Sequence, residues 1–212
     1  MKSGQLLPPE ELGMNGPPAH SEATMETPRS QPVEMRIEVI VIPVSDVDRA
    51  KHFYGELGWR LDLDIDVSND YRAVQFTPPG SSCSIMFGRG ITTAAPGSAQ
   101  NLHLIVSDIV VARTQLLDRR IPVGEPFHDP GGLFHHADRK GILNGLQPQR
   151  RSYGSYASFC DPDGNGWVLQ EVTVRLLGDV DTGGTLTSVN GLLRALRHAE
   201  TGLAIGVAKP QI

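Results

Sequence analysis

The stretch IEVIVIPVSD, Ile37 to Asp46, and the following VDRAKHFYGEL, Val47 to Leu57, return 62 positions later as LHLIVSD, Leu102 to Asp108, followed by IVVARTQLLDRR. An internal repeat of this kind confines the chain to architectures built from two copies of one unit. In each copy an apolar run with β character leads into Val-Ser-Asp. Ser45/Asp46 and Ser107/Asp108 are then natural helix N-caps, because a short polar side chain can take up the free amides of the first turn. Val47, Ala50, Phe53, Tyr54 and Leu57 share one face of the first predicted helix, and Val110, Val111, Leu116 and Leu117 form the pattern of the second.

The copies also end alike. TPPGSSCSIMFG, from Thr77, and DPDGNGWVLQEV, from Asp161, each set a Pro/Gly turn before a mostly apolar strand. Trp59 to Asp66 and Tyr71 to Thr77 supply the middle strands of the first unit, and Ile121 to His128 and Ser155 to Phe159 those of the second. The prediction is an α+β chain of two tandem βαβββ modules, about 36–90 and about 100–174, within a domain spanning 35–174. Aligning Gly80 with Gly164 gives an offset of 84, which leaves 22 additional residues in the second module, at about 129–153. Long insertions without periodicity often cover binding sites, so this one is expected to act as a lid. Residues 1–34 carry six of the 16 prolines and read as a disordered leader. In the tail, 175–212, Leu192, Leu193, Leu196 and Leu203 fit a short helix over about 189–203.

Composition narrows the partners. Across 212 residues, 19 Lys and Arg face 24 Asp and Glu, and a net charge of −5 disfavours nucleic acid, which demands a basic surface. No apolar run approaches the roughly 20 residues of a membrane span, and no signal peptide is evident, so no membrane partner and a cytoplasmic location are expected. Cys83 and Cys160 are too few for a disulfide framework and are expected to be buried strand residues.

The phrases PVSDVDRAKHFYGELGW and YASFCDPDGNGWVLQEV, set in two βαβββ units, resemble the vicinal oxygen chelate superfamily. It includes glyoxalase I, extradiol ring-cleaving dioxygenases, fosfomycin-resistance proteins and bleomycin-resistance binding proteins. The resemblance covers about two thirds of the chain and implies curled sheets closing into a cup that holds the ligand. In metal-dependent members, inward residues on the first and last strand of each module hold a divalent ion. Here those positions, counted from the capping aspartates and from the D-P-D-G-N turn, fall on Val39, Ser84, Asn101 and Val168. None is His, Asp or Glu, so no metal is expected at the superfamily's positions.

Two residues along each strand, on the same face, lie Val41, Met86, His103 and Gln170. His103 and Gln170 can grip an oxygen-rich ligand while Val39, Val41, Met86 and Val168 form an apolar wall, the usual make-up of a small-molecule pocket. A core histidine bonded to Gln170 is the structural alternative. The lid adds Phe134 and Arg150 as ligand contacts and Tyr153 as a donor or acid. Glu171, by strand alternation, belongs to the opposite face.

The functional expectation is a metal-free binding protein for a small oxygenated or aromatic molecule, with a second copy of the chain as a further candidate partner. The alternative is a glyoxalase-like lyase or isomerase, or a dioxygenase. It would use acid–base chemistry by His103, or a displaced Zn, Fe, Ni or Mn ion on His103, His128 and His135. Lactoylglutathione lyase activity is not expected, because that reaction uses its metal to polarise the enediolate.

Overall fold

The computed structural model describes residues 33–130, 140–176 and 188–204. The predicted leader lies outside these residues except for 33 and 34, as do Phe134, His135 and the rest of 131–139. Module 1 consists of β1 (Val39–Val41), α1 (Val47–Glu56), β2 (Arg60–Ser68), β3 (Tyr71–Thr77) and β4 (Ser84–Arg89). Its sheet runs β1-β4-β3-β2, with β1 parallel to β4 and the other pairs antiparallel.

Module 2 repeats the plan with β5 (Leu102–Val106), α2 (Ile109–Asp118), β6 (Phe127–His128), β8 (Ser155–Cys160) and β9 (Gly166–Glu171). The strand expected over Ile121 to His128 shrinks to the two residues of β6. The insertion contributes β7 (Leu143–Asn144), which the sequence did not signal, as the edge of a β5-β9-β8-β6-β7 sheet. A further helix, α3 (Val189–Ala204), follows.

Both helices start where expected. Asp46 accepts from the Arg49 amide at 3.0 Å, and Asp108 from Val110 and Val111 at 2.9 and 3.0 Å. Ser45 does not cap; it donates to Asp163 of the other module at 2.5 Å. In α1, Val47, Ala50 and Tyr54 are buried. In α2 the expectation shifts: Ile109, Ala112 and Leu116 face inward, and Val110, Val111 and Leu117 are exposed, because only the i, i+3, i+7 set meets the sheet.

One core serves both modules. Ile42, Val74, Phe76, Ile85 and Phe87 of module 1 pack with Ala157, Phe159, Trp167 and Leu169 of module 2 around α1 and α2. Trp59 meets Trp167 edge-on at 5.3 Å, and Tyr54 does so at 6.2 Å. The D-P-D-G-N turn latches the modules: Asp161 accepts from Tyr54 Oη at 2.9 Å, and Asn165 donates to the Pro43 carbonyl at 2.9 Å. Gly97, at φ +76°, lies so close that a Cβ would sit 2.2 Å from the Asp163 carbonyl oxygen.

On module 1, Arg72 of β3 ties Asp64 of β2 to Asp48 of α1, at 2.9 and 2.8 Å. The Arg72 guanidinium, and then Lys51, hold the Asp64 carboxyl well below its ordinary range. Its folded value is therefore below the unfolded value of about 4, so its stabilisation is complete above about pH 4 and is lost as pH falls toward the folded value. Asp64→Asn is expected to lower the midpoint for urea unfolding at pH 6 and to flatten its decline below pH 4. An unchanged slope would show that this cluster does not contribute to acid sensitivity.

The cysteine expectation is corrected. Cys160, the last residue of β8, is exposed, and Cys83, just before β4, is half-buried, since both lie at strand ends.

Candidate functional site

The residues that alternate with the shared core lie on the opposite face of each sheet. In module 2, Phe127 pairs with Tyr156, and Tyr156 with Gln170. Ser158 pairs with Val168, which in turn lies beside His103 on β5. Directly paired residues share a face, so these six side chains form one surface. The register differs from the expected one by two residues: His103, not Asn101, is level with Val168, and Ile105 is level with Gln170. Asn101 precedes the strand, exposed, with φ +56°, so it cannot continue the ladder at that level.

His103 Nδ1 lies 3.1 Å from Gln170 Oε1, and Gln170 Nε2 donates to Tyr156 Oη at 3.3 Å and to the Tyr153 carbonyl at 3.2 Å. Burial pushes the Tyr156 phenol well above its ordinary range, so it stays protonated at neutral pH. Its ring stacks on Phe127 at 5.6 Å. Ile142 of the insertion packs over Phe127, Tyr156 and Val168, and leaves Val168 only 4% exposed. His103 remains exposed. The described part of the insertion thus covers one end of this face.

In module 1 the corresponding face is partly exposed. Val39 pairs with Ser84 and Val41 with Met86, as expected. Val41 is 39% exposed, and Ile65 of β2 49%. Ser84 is buried and lies 2.7 Å from the Thr77 hydroxyl. Thr77 donates its own hydrogen to Asp62, so Ser84 must donate to Thr77. What the two sheets share is the helix-side core; Val39, Ser84, His103 and Val168 lie on the faces turned away from it. Their common interior, expected from the sequence, is not formed by packing these four side chains together.

The positions that the resemblance implies for metal ligands do not suit an ion. Val39 and Val168 have no donor atom, a neutral Ser84 hydroxyl is a poor ligand for a dication, and a single imidazole at the level of Val168 cannot hold one alone. Among the described residues, no three His, Cys, Asp or Glu side chains converge. His128 pairs with Ser155 rather than Tyr156, which puts it on the opposite face of the sheet from His103, and its Nδ1 lies 2.9 Å from the Gly145 carbonyl. The displaced set His103, His128 and His135 therefore fails at its first two members, and His135 lies outside the described residues.

Arg150 and Tyr153 are engaged elsewhere. Arg150 binds Glu171, with Nε to Oε2 at 3.0 Å, and the Glu171 carboxylate also accepts from the Ile109 amide at 3.2 Å. Glu171 is fully buried on the helix side, as alternation predicted, and that ion pair draws Arg150 away from a ligand. The Tyr153 ring packs with Leu176, Leu192 and Leu196, and its hydroxyl accepts from the Leu176 amide at 3.0 Å.

Sequence reasoning passed over Phe127 and Tyr156. The alternation in SYASFC carries the signal for Tyr156, once β8 is registered against β9. It also passed over a groove of about 430 Å³ between α1 and β2, floored by Trp59, Leu61 and Phe76.

Residues 36–169 match the sequence model of the Glyoxalase/Bleomycin resistance protein/Dioxygenase superfamily. The chain belongs to that superfamily. Among solved members and relatives, it is similar to TnmS3, an antibiotic binding protein from Streptomyces sp. CB03234, with 26% identity and a TM-score of 0.50, over 67% of this chain and 99% of that one. A glyoxalase/bleomycin resistance protein from the same organism is 27% identical at a TM-score of 0.47, covering 64% of this chain and 100% of its own. A superfamily member from Sphaerobacter thermophilus DSM 20745 is 25% identical at 0.48, covering 65% and 98%. No curated protein matches the chain. Among the described residues, no helix is long and apolar enough to cross a membrane.

Proposed function

We propose that this superfamily member binds a small aromatic or oxygenated molecule, without a divalent ion at the superfamily's metal positions. The observation that supports the reading is the chemistry of two paired positions: Val39 with Ser84 and His103 with Val168 offer one imidazole and no carboxylate, at or beside the positions that the superfamily resemblance implies for metal ligands. Val41 and Met86 offer apolar surface, and His103, exposed and backed by the buried Gln170 and Tyr156, offers a polar group, the composition of a small-molecule site. The similarity to an antibiotic binding protein along nearly its whole length supports a bulky organic ligand. A cytoplasmic location is part of this proposal.

Titration calorimetry against a panel of polycyclic phenols and quinones, with and without chelator, tests it. Binding is expected at micromolar affinity, insensitive to chelator and weakened at least tenfold in Val41→Trp, a substitution at a partly exposed position that should spare the fold. Binding that requires added Zn, Fe, Ni or Mn, or no binding across the panel, would overturn it. Conversion of a panel member, abolished in His103→Ala, would favour a lyase, isomerase or dioxygenase.

The partly exposed face of module 1, with Val41 39% and Ile65 49% exposed, suits a second copy of the chain as the other wall of the site. Sedimentation is expected to show a dimer that Val41→Glu dissociates; a wild-type monomer at tens of micromolar would remove this part of the proposal.

A further inference from the structure

Strand β2 is an outer edge of the module 1 sheet and, among the described residues, pairs only with β3. An edge strand turns a row of amide and carbonyl groups outward, where another extended chain can pair with them. The register of β2 shifts between Leu61 and Leu63 and again between Asp66 and Ser68, which leaves 63–66 as a regular platform. Neither Pro nor Lys, common guards of such an edge, occurs in Arg60–Ser68. Directly paired residues share a face, so Asp64 and Asp66, opposite Val74 and Arg72, lie on the α1 side, and Ile65, opposite Ala73, on the other.

Beside this edge runs the groove between α1 and β2, of about 430 Å³, floored by Trp59, Leu61 and Phe76. Gly55 belongs to its α1 wall. A Cβ there would meet no atom within 4 Å, and its φ is not in the left-handed region, so neither packing nor backbone conformation calls for glycine. Glycine in a helix costs about 1 kcal/mol relative to alanine, and what it provides here is room for a side chain lying beside β2 to reach Leu61 and Trp59. The rim is acidic on its outward side. Asp48 is 79% exposed, whereas the Arg72 that binds it is 11% exposed. Glu56 is exposed, as is Asp66, which Arg89 binds at 2.7 Å, and Lys51 is occupied by Asp64 at 2.7 Å.

We propose that β2 and the groove beside it take up an extended segment of another protein in which basic and apolar residues alternate. The segment continues the four-stranded sheet beyond β2. Its Lys or Arg side chains lie on the α1 side, against Asp48, Glu56 and Asp66, and one large apolar side chain on that side enters the groove over Leu61. Its aliphatic side chains lie beside Ile65 on the other face. The same pattern disfavours a second copy of the chain. Pairing β2 with β2, with α1 on the same side of both sheets, sets aspartate against aspartate, and like charges directly opposite repel. Because the groove lies on the α1 side, none of this rests on the small-molecule reading.

Fluorescence anisotropy of a labelled, end-blocked peptide, Lys-Val-Trp-Val-Lys-Val-Lys, titrated with the full chain tests this. Binding in the micromolar range is expected, weakened about tenfold when Glu replaces Lys. N-methylation of one alternate set of peptide amides should abolish binding, and of the other set leave it, because a strand pairs along one edge only. Gly55→Leu fills the groove at a position with room for it; it should keep or raise the melting temperature and weaken binding about tenfold. Glu56→Lys, at an exposed position, should weaken binding too, which keeps the test decisive if the Leu variant fails to fold. No binding of the Lys peptide, or an equal response to the two methylation patterns, would overturn strand addition. A folded Gly55→Leu chain, or a Glu56→Lys chain, that binds like the wild type would overturn the role of the groove. A peptide-free dimer that Gly55→Leu dissociates would give the groove to a second copy and overturn the proposal.

Discussion

Asp161→Ala is expected to cost about 4 kcal/mol of folding stability and to lower the melting temperature by about 10 °C. The Asp161 side chain accepts from the amides of Asp163 and Asn165, both at 2.9 Å, from Asn165 Nδ2 at 2.7 Å and from Tyr54 Oη at 2.9 Å. All of this lies in the interior: Asp161 is 5% exposed, and Asn165 and Tyr54 are fully buried. Removing the carboxylate strands several donors where water has little access, and each such donor costs about 1–3 kcal/mol. The damage should not stay local, because Tyr54 belongs to α1 and Asn165 also holds the Pro43 carbonyl, so the latch between modules opens. Calorimetry should show the drop as a single transition. A loss below about 1 kcal/mol would mean that the turn is held by its own backbone and not by this carboxylate.

Glu171→Gln is expected to cost about 3 kcal/mol, although the replacement is almost isosteric. Glu171 is fully buried, and both oxygens are occupied, by Arg150 and by the first amide of α2. An amide in its place turns an NH2 group toward either the guanidinium or the helix N-terminus, donor against donor, and withdraws the charge that both stabilise. Arg150→Met should cost less, about 2 kcal/mol, because the Arg150 side chain is 43% exposed and water can reach the carboxylate once it is gone. The double variant should be more stable than the sum of the two losses predicts by at least about 1 kcal/mol, since neither partner is then left alone. Simple additivity in urea unfolding would show that the pair is not coupled.

How much was legible follows from the range of each signal. The capping aspartates 46 and 108, the strands Tyr71–Thr77 and Ser155–Cys160 and the inward face of α1 are local patterns, and local patterns can be read from a single chain. Val39 opposite Ser84 and Val41 opposite Met86 followed from the positions that the superfamily resemblance implies, counted from the Asp46 cap and the offset of the repeat. Counting failed at Asn101: its left-handed backbone delays β5, and His103 moves to the level of Val168. A two-residue slide preserves the face and the alternation, so nothing in the sequence reveals it.

The partners of long side chains were the other blind spot. Arg150 and Tyr153 are plausible ligand contacts by residue type. Only the folded chain shows that Glu171 claims one and the α3 cluster the other.

The sequence by itself determined the duplicated βαβββ plan and the faces on which strand residues alternate. These depend on residue identity and short-range periodicity. The tertiary structure alone decided that the modules share their helix-side core, that the D-P-D-G-N turn fastens one to the other, and that Gln170 faces His103. Each of those depends on which distant segments meet, and the free energy of such contacts is set by burial and by pairing of polar groups across the fold, not by neighbours along the chain.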